Sequence, residues 1–272
     1  MSKYETFAEY PSRSLAAAET ALLTLWPTLN RYHDDLVLVG GLAVNYLTRK
    51  GTGDWPGAVT LDVDFGIALA TEGGQYGTIQ SDLAGLGFKP SPEYRNRLVR
   101  EVSGMAMYVD FLTEAPHAAS GSCVVDDVVA SVVPGINRAL QSRRIVRVSG
   151  SDVYGATQTC DLAIANIGPL LVLKLNAFGG PTGRRHPKDA YDVLLAVTSF
   201  VDGPEAAIRA FRAEEHLGNP GYASAMEALR RDFSTGGADG PIRAAEFLRA
   251  TGEYQKRVRE ELVTVARYLL GN

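Results

Sequence analysis

The chain has 272 residues, of which 46% are hydrophobic and 21% are charged, a balance typical of globular proteins rather than of disordered or fibrous ones. The formal net charge of -4 argues against nucleic acid coating the whole surface, so any RNA contact should be local. The longest largely apolar stretch, 162–173, falls short of the roughly 18 to 20 residues that cross a bilayer. No membrane span is therefore expected.

The N-terminus and the two cysteines bear on the cellular location and on the redox state. Residues 1–9 include acidic and polar side chains where a secretory signal would place a continuous apolar core. Cys123 and Cys160 lie far apart and form no CxxC pattern, so neither a disulfide framework nor a zinc site is indicated. We expect a cytoplasmic location and two reduced cysteines.

The first half of the chain alternates predicted strands and helices. The periodicities predict a helix from 14 to about 29, a strand at 36–39, a glycine turn at 40–41, a helix at 42–50, a strand at 58–69 and a helix at 75–86. Residues 97–102 and 106–112 form a candidate hairpin around Ser103 and Gly104. Further strands are predicted at 145–148 and 160–164, with a short helix between 134 and 143.

The second half of the chain has a helical pattern. Helices are predicted near 169–178, 187–200, 204–216, 221–232, 241–250 and 253–269. We therefore predict an α/β (α+β) fold, with a mixed β-sheet core flanked by helices in residues 1–165 and a helical C-terminal domain in residues 166–272.

Asp62 and Asp64 are the first candidate site residues. At positions i and i+2 of a strand, both carboxylates leave the same face a few ångströms apart. A divalent cation relieves their repulsion, and hard oxygen ligands of this kind suit Mg²⁺. For the pair alone, two solvated side chains on an exposed strand face are the commoner explanation.

Gly40 and Gly41 lie between a predicted strand and a predicted helix. Such a turn brings backbone N–H groups and a helix N-terminus close to an anion such as a triphosphate. An ordinary strand-to-helix turn is the alternative. The chain has neither GxxxxGK[ST] nor GxGxxG, so a P-loop and a dinucleotide-binding fold are not indicated.

Asp110 is the third candidate acid, because it lies in an apolar strand where an unpaired charge would be costly to bury. If its strand neighbours that of Asp62 and Asp64, Asp110 completes a three-carboxylate set and can act as a general base toward an acceptor hydroxyl. The alternative is an aspartate that faces the solvent.

Lys174 ends an apolar run, so its packed stem can aim the ammonium group at a site. Downstream, Asp189 and Asp192 share one helical face, and Lys188 precedes them. Cations here could clamp phosphates. A helix start explains the same residues, because Pro187 suits its first turn and Lys188 can pair with Asp192 at i, i+4.

These elements occur in an order that resembles a known family. Gly40-Gly41-Leu-Ala, Thr60-Leu-Asp-Val-Asp-Phe, Lys174 and Lys188-Asp-Ala-Tyr-Asp192 resemble the AbiEii/AbiGii-type nucleotidyltransferase toxins of bacterial type IV toxin–antitoxin systems. The similarity spans about residues 36 to 195. The GG and DxD elements are general to the DNA polymerase β-like nucleotidyltransferase superfamily, and the Lys-Asp-x-x-Asp segment narrows the resemblance to this group.

The resemblance implies a nucleotidyltransferase-type sheet core and a helical domain that contributes to the cleft. It implies Mg²⁺ (or Mn²⁺) held by Asp62, Asp64 and Asp110, an NTP such as ATP as substrate, and Lys174 as a catalytic contact to its phosphates. Gly40 and Gly41 would bind the nucleotide, and Lys188, Asp189 and Asp192 would line its site. It also implies an RNA acceptor, particularly the tRNA 3′ end, and a cognate antitoxin protein as partner.

Two departures leave alternatives open. Members often carry Thr or Ser where this chain has Leu42, and a basic residue shortly before the DxD, where residues 57–60 offer none. The alternatives are nucleotidyl transfer to a small molecule such as an antibiotic, and a catalytically silent nucleotide-binding or partner-binding protein. Zinc hydrolysis and α/β-hydrolase chemistry are not indicated, because HExxH and GxSxG are both absent.

Overall fold

The computed structural model describes residues 4–48, 54–68, 79–94, 96–102, 105–115, 120–125 and 128–271. These residues form two compact units. The sheet unit consists of Ser12–Ala43 and Thr60–Asn166, and the helical unit of the described residues of Met1–Pro11, Val44–Val59 and Ile167–Asn272. The long segment of the helical unit begins at Ile167, next to the domain boundary expected between residues 165 and 166. The two shorter segments of the helical unit come from the part of the chain that was expected to form the sheet domain.

The sheet unit is built on one mixed β-sheet. Its strands are β1 Leu36–Val39, β2 Asp62–Ile67, β3 Lys89–Pro90, β4 Arg97–Val102, β5 Met105–Thr113, β6 Ser122–Val125, β7 Val128–Val132, β8 Arg143–Ser151 and β9 Thr157–Ala165. They run in the order β3-β4-β5-β2-β1-β9-β8, and β7 pairs with both β5 and β6. The pairs β1–β9, β2–β5 and β5–β7 are parallel and the others antiparallel. The predicted mixed sheet is confirmed.

Strand β2 lies at the centre of the sheet, between β1 and β5. Alternate side chains of a strand point to opposite faces, and Val63 and Phe65 are both completely buried. Helix α1 (Ser14–Thr28) covers their face, and the Trp26 ring lies 6.1 Å from that of Phe65. Asp62 and Asp64 therefore point to the other face, because their apolar neighbours are held in the core.

Three further α-helices lie between α1 and residue 166 in the described part of the chain. They are α2 Gly40–Thr48, α3 Ile79–Gly85 and α4 Ile136–Gln141. Helix α2 begins directly after β1, and α4 packs on the face that carries the aspartates. A Cβ added at Gly66 would lie 3.2 Å from Cγ2 of Ile136 in α4. Helix α4 thus covers the Gly66 end of this face, and the two aspartates lie toward the other end.

The described residues from Ile167 onward form six helices, as predicted. They are α5 Ile167–Gly179, α6 Pro187–Thr198, α7 Pro204–His216, α8 Tyr222–Asp232, α9 Asp239–Phe247 and α10 Gly252–Leu270. Helix α5 packs against α6, α7 and α8, and α6 packs against α9. Nearly all residues of α5 and α6 are buried, so these two helices form the centre of the unit.

Within the helical unit, Leu47 and Pro56 are hydrogen-bonded to residues of the C-terminal segment. The Tyr191 hydroxyl donates to the carbonyl of Pro56, and the Val201 N–H donates to the carbonyl of Leu47 at 2.9 Å. Among the described residues, no helix combines the length and the apolar character that a membrane crossing requires.

The predicted elements match the observed ones with a few differences. Strand β2 is shorter than the predicted 58–69, β8 and β9 are longer than predicted, and β3, β6 and β7 were not predicted. Short strands such as β3 gain their stability from pairing with neighbours, which a local pattern does not reveal. The predicted turn at 103–104, residues 49–50 and 75–78 of two predicted helices and residue 69 of a predicted strand lie outside the described residues.

Candidate metal centre

Strand register brings the three candidate acids together. In the parallel pair of β2 and β5, Asp64 lies opposite Asp110, and Asp62 lies opposite Tyr108. Asp62, Asp64 and Asp110 therefore share one face of the sheet. One carboxylate oxygen from each lies within 4.8 Å of the others. Within the described part of the chain, this is the only group of three or more His, Cys, Asp or Glu placed to hold a metal ion.

Gly40 lies against this carboxylate set. Asp64 pairs with Val39, the last residue of β1, so its carboxylate reaches the first residue of α2. Gly40 has a φ of +69°, and an added Cβ would overlap Oδ2 of Asp64. Glycine is required here both for the backbone angle and for the space that the carboxylate takes. The positive end of the α2 macrodipole favours an anion at this place, and Gly41 is buried in the same first turn.

Arg97 is a member of the site that the sequence analysis did not identify. It lies opposite Asp110 in the β4–β5 pair. Its Nε donates to Oδ1 of Asp110 at 2.9 Å and its Nη2 to Oδ2 at 2.6 Å, and Nη2 also donates to Oδ2 of Asp62 at 3.1 Å. The guanidinium carbon lies 4.8 Å from the ring centroid of Tyr108 and 5.7 Å from that of Tyr94. A cation is thus already held between two of the three acids.

A sequence signal for Arg97 existed in the predicted hairpin. Arg97 lies six residues before Ser103, and Asp110 lies six residues after Gly104. A hairpin centred on that dipeptide places the two residues directly opposite each other, where oppositely charged side chains attract.

The titration of Asp110 follows from its surroundings. Burial raises the pKa of Asp110, the hydrogen bonds from Arg97 lower it, and the charge of Asp64 raises it again, with a result of about 6. For Arg97, burial lowers the pKa, but the bonds to Asp110 and the charge of Asp62 raise it above its ordinary value. The guanidinium therefore stays charged beside the acids.

The donor set fits a hard divalent cation. All three side chains offer carboxylate oxygens, the ligands that Mg²⁺ and Mn²⁺ prefer. Asp62 is almost fully buried, and Asp64 and Asp110 are partly exposed. The Arg97 Nη2 atom, in contact with Asp62 and Asp110, stands in for a cation at this place. The carboxylates therefore converge on a position where positive charge is stable.

The other predicted site residues form a buried ion cluster in the helical unit. Lys174 of α5 and Lys188 of α6 each place Nζ 2.6 Å from Oδ2 of Asp192. Arg184 holds Asp189 through two hydrogen bonds of 2.7 and 3.0 Å. The pairing of Lys188 with Asp192 at i, i+4 confirms the interpretation of this segment as a helix start.

The charges of this cluster compensate one another away from water. Lys174, Lys188, Asp189 and Asp192 are all at most 5% exposed. Burial would raise the pKa of Asp192, but Lys174 and Lys188 lower it below its ordinary value. The cluster thereby ties α5 to the first turns of α6.

Comparisons with known proteins give structural matches only. No protein-family model and no curated protein matches the sequence. The solution structure of the antibiotic-resistance factor ANT(2″)-Ia is similar at 15% identity and a TM-score of 0.36, over 72% of this chain and 92% of that one. For the crystal structure of ANT(2″)-Ia in complex with adenylyl-2″-tobramycin, the identity is 15%, the TM-score 0.38 and the coverage 72% and 96%. The Bradyrhizobium diazoefficiens CD-NTase CdnG in complex with GTP is similar at 11% identity and a TM-score of 0.29, over 94% of this chain and 85% of that one.

The close contact of Gly40 with the Asp64 carboxylate predicts that a methyl group added at Gly40 weakens metal binding. In Gly40→Ala the new Cβ displaces the Asp64 carboxylate, so Mg²⁺ affinity measured by calorimetry should fall by roughly 10- to 100-fold, the range for a disturbed metal ligand. Gly155→Ala is the matched control, because Gly155 also has a positive φ but its Cβ would meet no atom within 4 Å. Equal losses in both variants would show that backbone strain, not the carboxylate, is responsible.

The raised pKa of Asp110 predicts a pH dependence of metal binding. Metal requires the ionised carboxylate, so Mg²⁺ affinity should be constant above the pKa of about 6 and decrease as the pH falls below it. Competition with one proton gives a decrease of up to about tenfold per pH unit. Calorimetric titrations on both sides of the pKa measure it, and an affinity that stays flat on acidification would contradict the role of Asp110 as a ligand.

The buried ion cluster predicts a large stability effect. Asp192→Asn removes the carboxylate shared by Lys174 and Lys188, so the free energy of unfolding should fall by about 3 to 5 kcal/mol, as when one partner of a buried ion pair is lost. Denaturant unfolding measures this change. Glu205→Gln is the control, because its pair with Arg209 is solvent-exposed and 3.9 Å long; its unfolding midpoint should stay that of the wild type.

Proposed function

We propose that this protein is a divalent-metal-dependent nucleotidyltransferase, which transfers NMP from an NTP to an acceptor hydroxyl. The observation that carries the proposal is the convergence of Asp62, Asp64 and Asp110 beside the N-terminus of α2. Three converging carboxylates, one of which lies against the N-terminus of a helix, suit a metal-bound triphosphate.

Each part of this centre has a role in the proposed reaction. Asp62 and Asp64 hold Mg²⁺ or Mn²⁺, which when bound neutralises charge on the phosphates. The first turn of α2, at Gly40 and Gly41, offers its N–H groups to phosphate oxygens. The acceptor oxygen forms a bond to the α-phosphorus, the bond from that phosphorus to the bridging oxygen breaks, and pyrophosphate leaves.

Asp110 is the proposed acceptor of the proton. A general base works best when its pKa lies near the operating pH, and the pKa of Asp110 is raised to about 6. Its partly exposed carboxylate can take the hydroxyl proton once Arg97 no longer holds both of its oxygens. If instead it binds metal throughout, Asp110 serves as the third ligand.

The nucleotide-binding roles of Lys174, Lys188, Asp189 and Asp192 stay part of the proposal and rest on the sequence resemblance. In the ion cluster, the Lys174 ammonium is bound to Asp192. A phosphate would have to share this ammonium with the carboxylate. The nucleotide affinity of Lys174→Met tests the assignment. If Lys174 is purely structural, the substitution changes the stability of the protein and leaves the nucleotide affinity of the folded protein unaltered.

The acceptor we propose is RNA, particularly the tRNA 3′ end, with the protein acting as the toxin of a toxin–antitoxin pair. This part also rests on the resemblance of the sequence motifs. Transfer to a hydroxylated small molecule such as an antibiotic would use the same metal centre, so a panel of tRNA and antibiotics distinguishes the acceptors. An adjacent gene for a small helix-turn-helix regulator would support the toxin role.

The second candidate function is a catalytically silent nucleotide-binding or partner-binding protein. The position of Arg97 favours it, because a guanidinium bound to Asp62 and Asp110 neutralises part of the charge that a metal would neutralise. Calorimetry separates the two candidates. Nucleotide binding that is indifferent to Mg²⁺, without turnover on any acceptor, would support the silent protein.

The enzyme proposal predicts label transfer that depends on the aspartates. With each labelled NTP, Mg²⁺ and total tRNA or cell lysate, the wild type should label an acceptor, and Asp62→Asn and Asp64→Asn should reduce the rate by at least about 100-fold, because a metal ligand is lost. Asp161→Asn is the matched control, since Asp161 is an exposed strand aspartate that pairs with Arg147. Equal transfer by the wild type and the Asp62 and Asp64 variants would rule out this centre.

A further inference from the structure

The side chain of Arg97 occupies the centre where a metal would bind. Its Nη2 atom contacts Asp62 Oδ2 at 3.1 Å and Asp110 Oδ2 at 2.6 Å. These two oxygens come from different strands, so the guanidinium bridges β2 and β5. A metal ion that uses the same oxygens competes with these hydrogen bonds and is repelled by the guanidinium charge beside it.

We infer that Arg97 is a displaceable counter-ion of the metal centre: it holds the carboxylates together before metal binds and leaves them when metal arrives. The inference rests on the proposed function and concerns the regulation of its site. Arg97 is thus a positioning residue that acts through Asp62 and Asp110.

The negative charge of the three carboxylates requires a cationic partner such as Arg97. Three carboxylates with oxygens within 4.8 Å of one another repel strongly in a partly buried site. One guanidinium lowers this repulsion and keeps the side chains in place through charge-assisted hydrogen bonds. The three aspartates and Arg97 together keep an excess of two negative charges, so the centre still attracts a divalent cation, which neutralises more charge than the guanidinium when it takes its place. The protein therefore keeps the centre assembled without metal, at the expense of metal affinity.

The surroundings of Arg97 provide a place for the released guanidinium. The rings of Tyr94 and Tyr108 lie 5.7 and 4.8 Å from its Cζ atom. Aromatic faces attract a guanidinium by cation–π interaction. Tyr94 is exposed, so a guanidinium that stays on this ring remains in contact with water. The long side chain can therefore leave the carboxylates without becoming buried and unpaired.

The test compares Mg²⁺ binding by the wild type, Arg97→Gln, Arg97→Lys and Arg100→Gln, using calorimetry. Arg97→Gln should bind Mg²⁺ more tightly by about tenfold or more, because no charge-assisted hydrogen bonds are broken. Arg97→Lys keeps the charge but loses the two-pronged hydrogen bond, so it should also bind more tightly than the wild type. Arg100→Gln removes a charge from the opposite face of β4 and should leave the affinity unchanged.

Two further measurements keep the inference testable if Arg97→Gln folds poorly. In the presence of a chelator, Arg97→Gln should have a lower melting temperature than the wild type. Addition of Mg²⁺ should raise the melting temperature of Arg97→Gln by more than it raises that of Arg100→Gln. In the wild type, the Nε–H NMR signal of Arg97, assigned by its loss in Arg97→Lys, should shift during a Mg²⁺ titration.

The outcomes separate this inference from the proposed function. If the wild type binds Mg²⁺ and transfers nucleotide, but the Arg97 variants bind no more tightly and the Nε–H signal stays constant, Arg97 is not displaced and the inference alone is overturned. Weaker Mg²⁺ binding in Arg97→Gln would overturn it as well, since Arg97 would then support the bound metal. If the wild type binds no Mg²⁺ and transfers no nucleotide, both the inference and the proposed function are wrong.

Discussion

Electrostatic repulsion among three carboxylates on one face of the central strands is the constraint on which the candidate site depends. Val63 and Phe65 are held in the core, so strand alternation directs Asp62 and Asp64 to the opposite face. Like charges this close are stable only with a cation, and the ion pairs of Arg97 show how the protein meets that need. The Arg97 guanidinium therefore neutralises the same carboxylate charge that a metal ion at this place would neutralise.

The turn at Gly40 determines where one of these carboxylates, that of Asp64, lies relative to helix α2. Asp64 reaches the first residue of α2 because it pairs with the last residue of β1. The absence of a side chain at Gly40 leaves room for the carboxylate, and the helix N-terminus favours its charge. One small residue thus serves the backbone turn, the placement of the Asp64 carboxylate and the proposed approach of phosphates.

In the ion cluster of the helical unit, the acidic and basic side chains compensate one another. Asp192 accepts from Lys174 and Lys188, and all three are almost fully buried. Such groups must be compensated within the fold, because water does not reach them. Their charges explain how α5 and α6 are held together. The nucleotide-binding role proposed for the same residues goes beyond this structural role and depends on the chemistry of bound substrate.

The sequence by itself determined most of the local elements and the candidate acids. Helical periodicity gave the six helices of the second half, and i, i+2 spacing placed Asp62 and Asp64 on one face, because both patterns depend on neighbours in the chain. Only the tertiary structure decided that Asp110 joins them, since parallel pairing of β2 with β5 is a long-range contact. It also decided that Arg97 lies between the acids and that Lys174 is bound to Asp192, because salt bridges between distant segments form only after the strands and helices are packed.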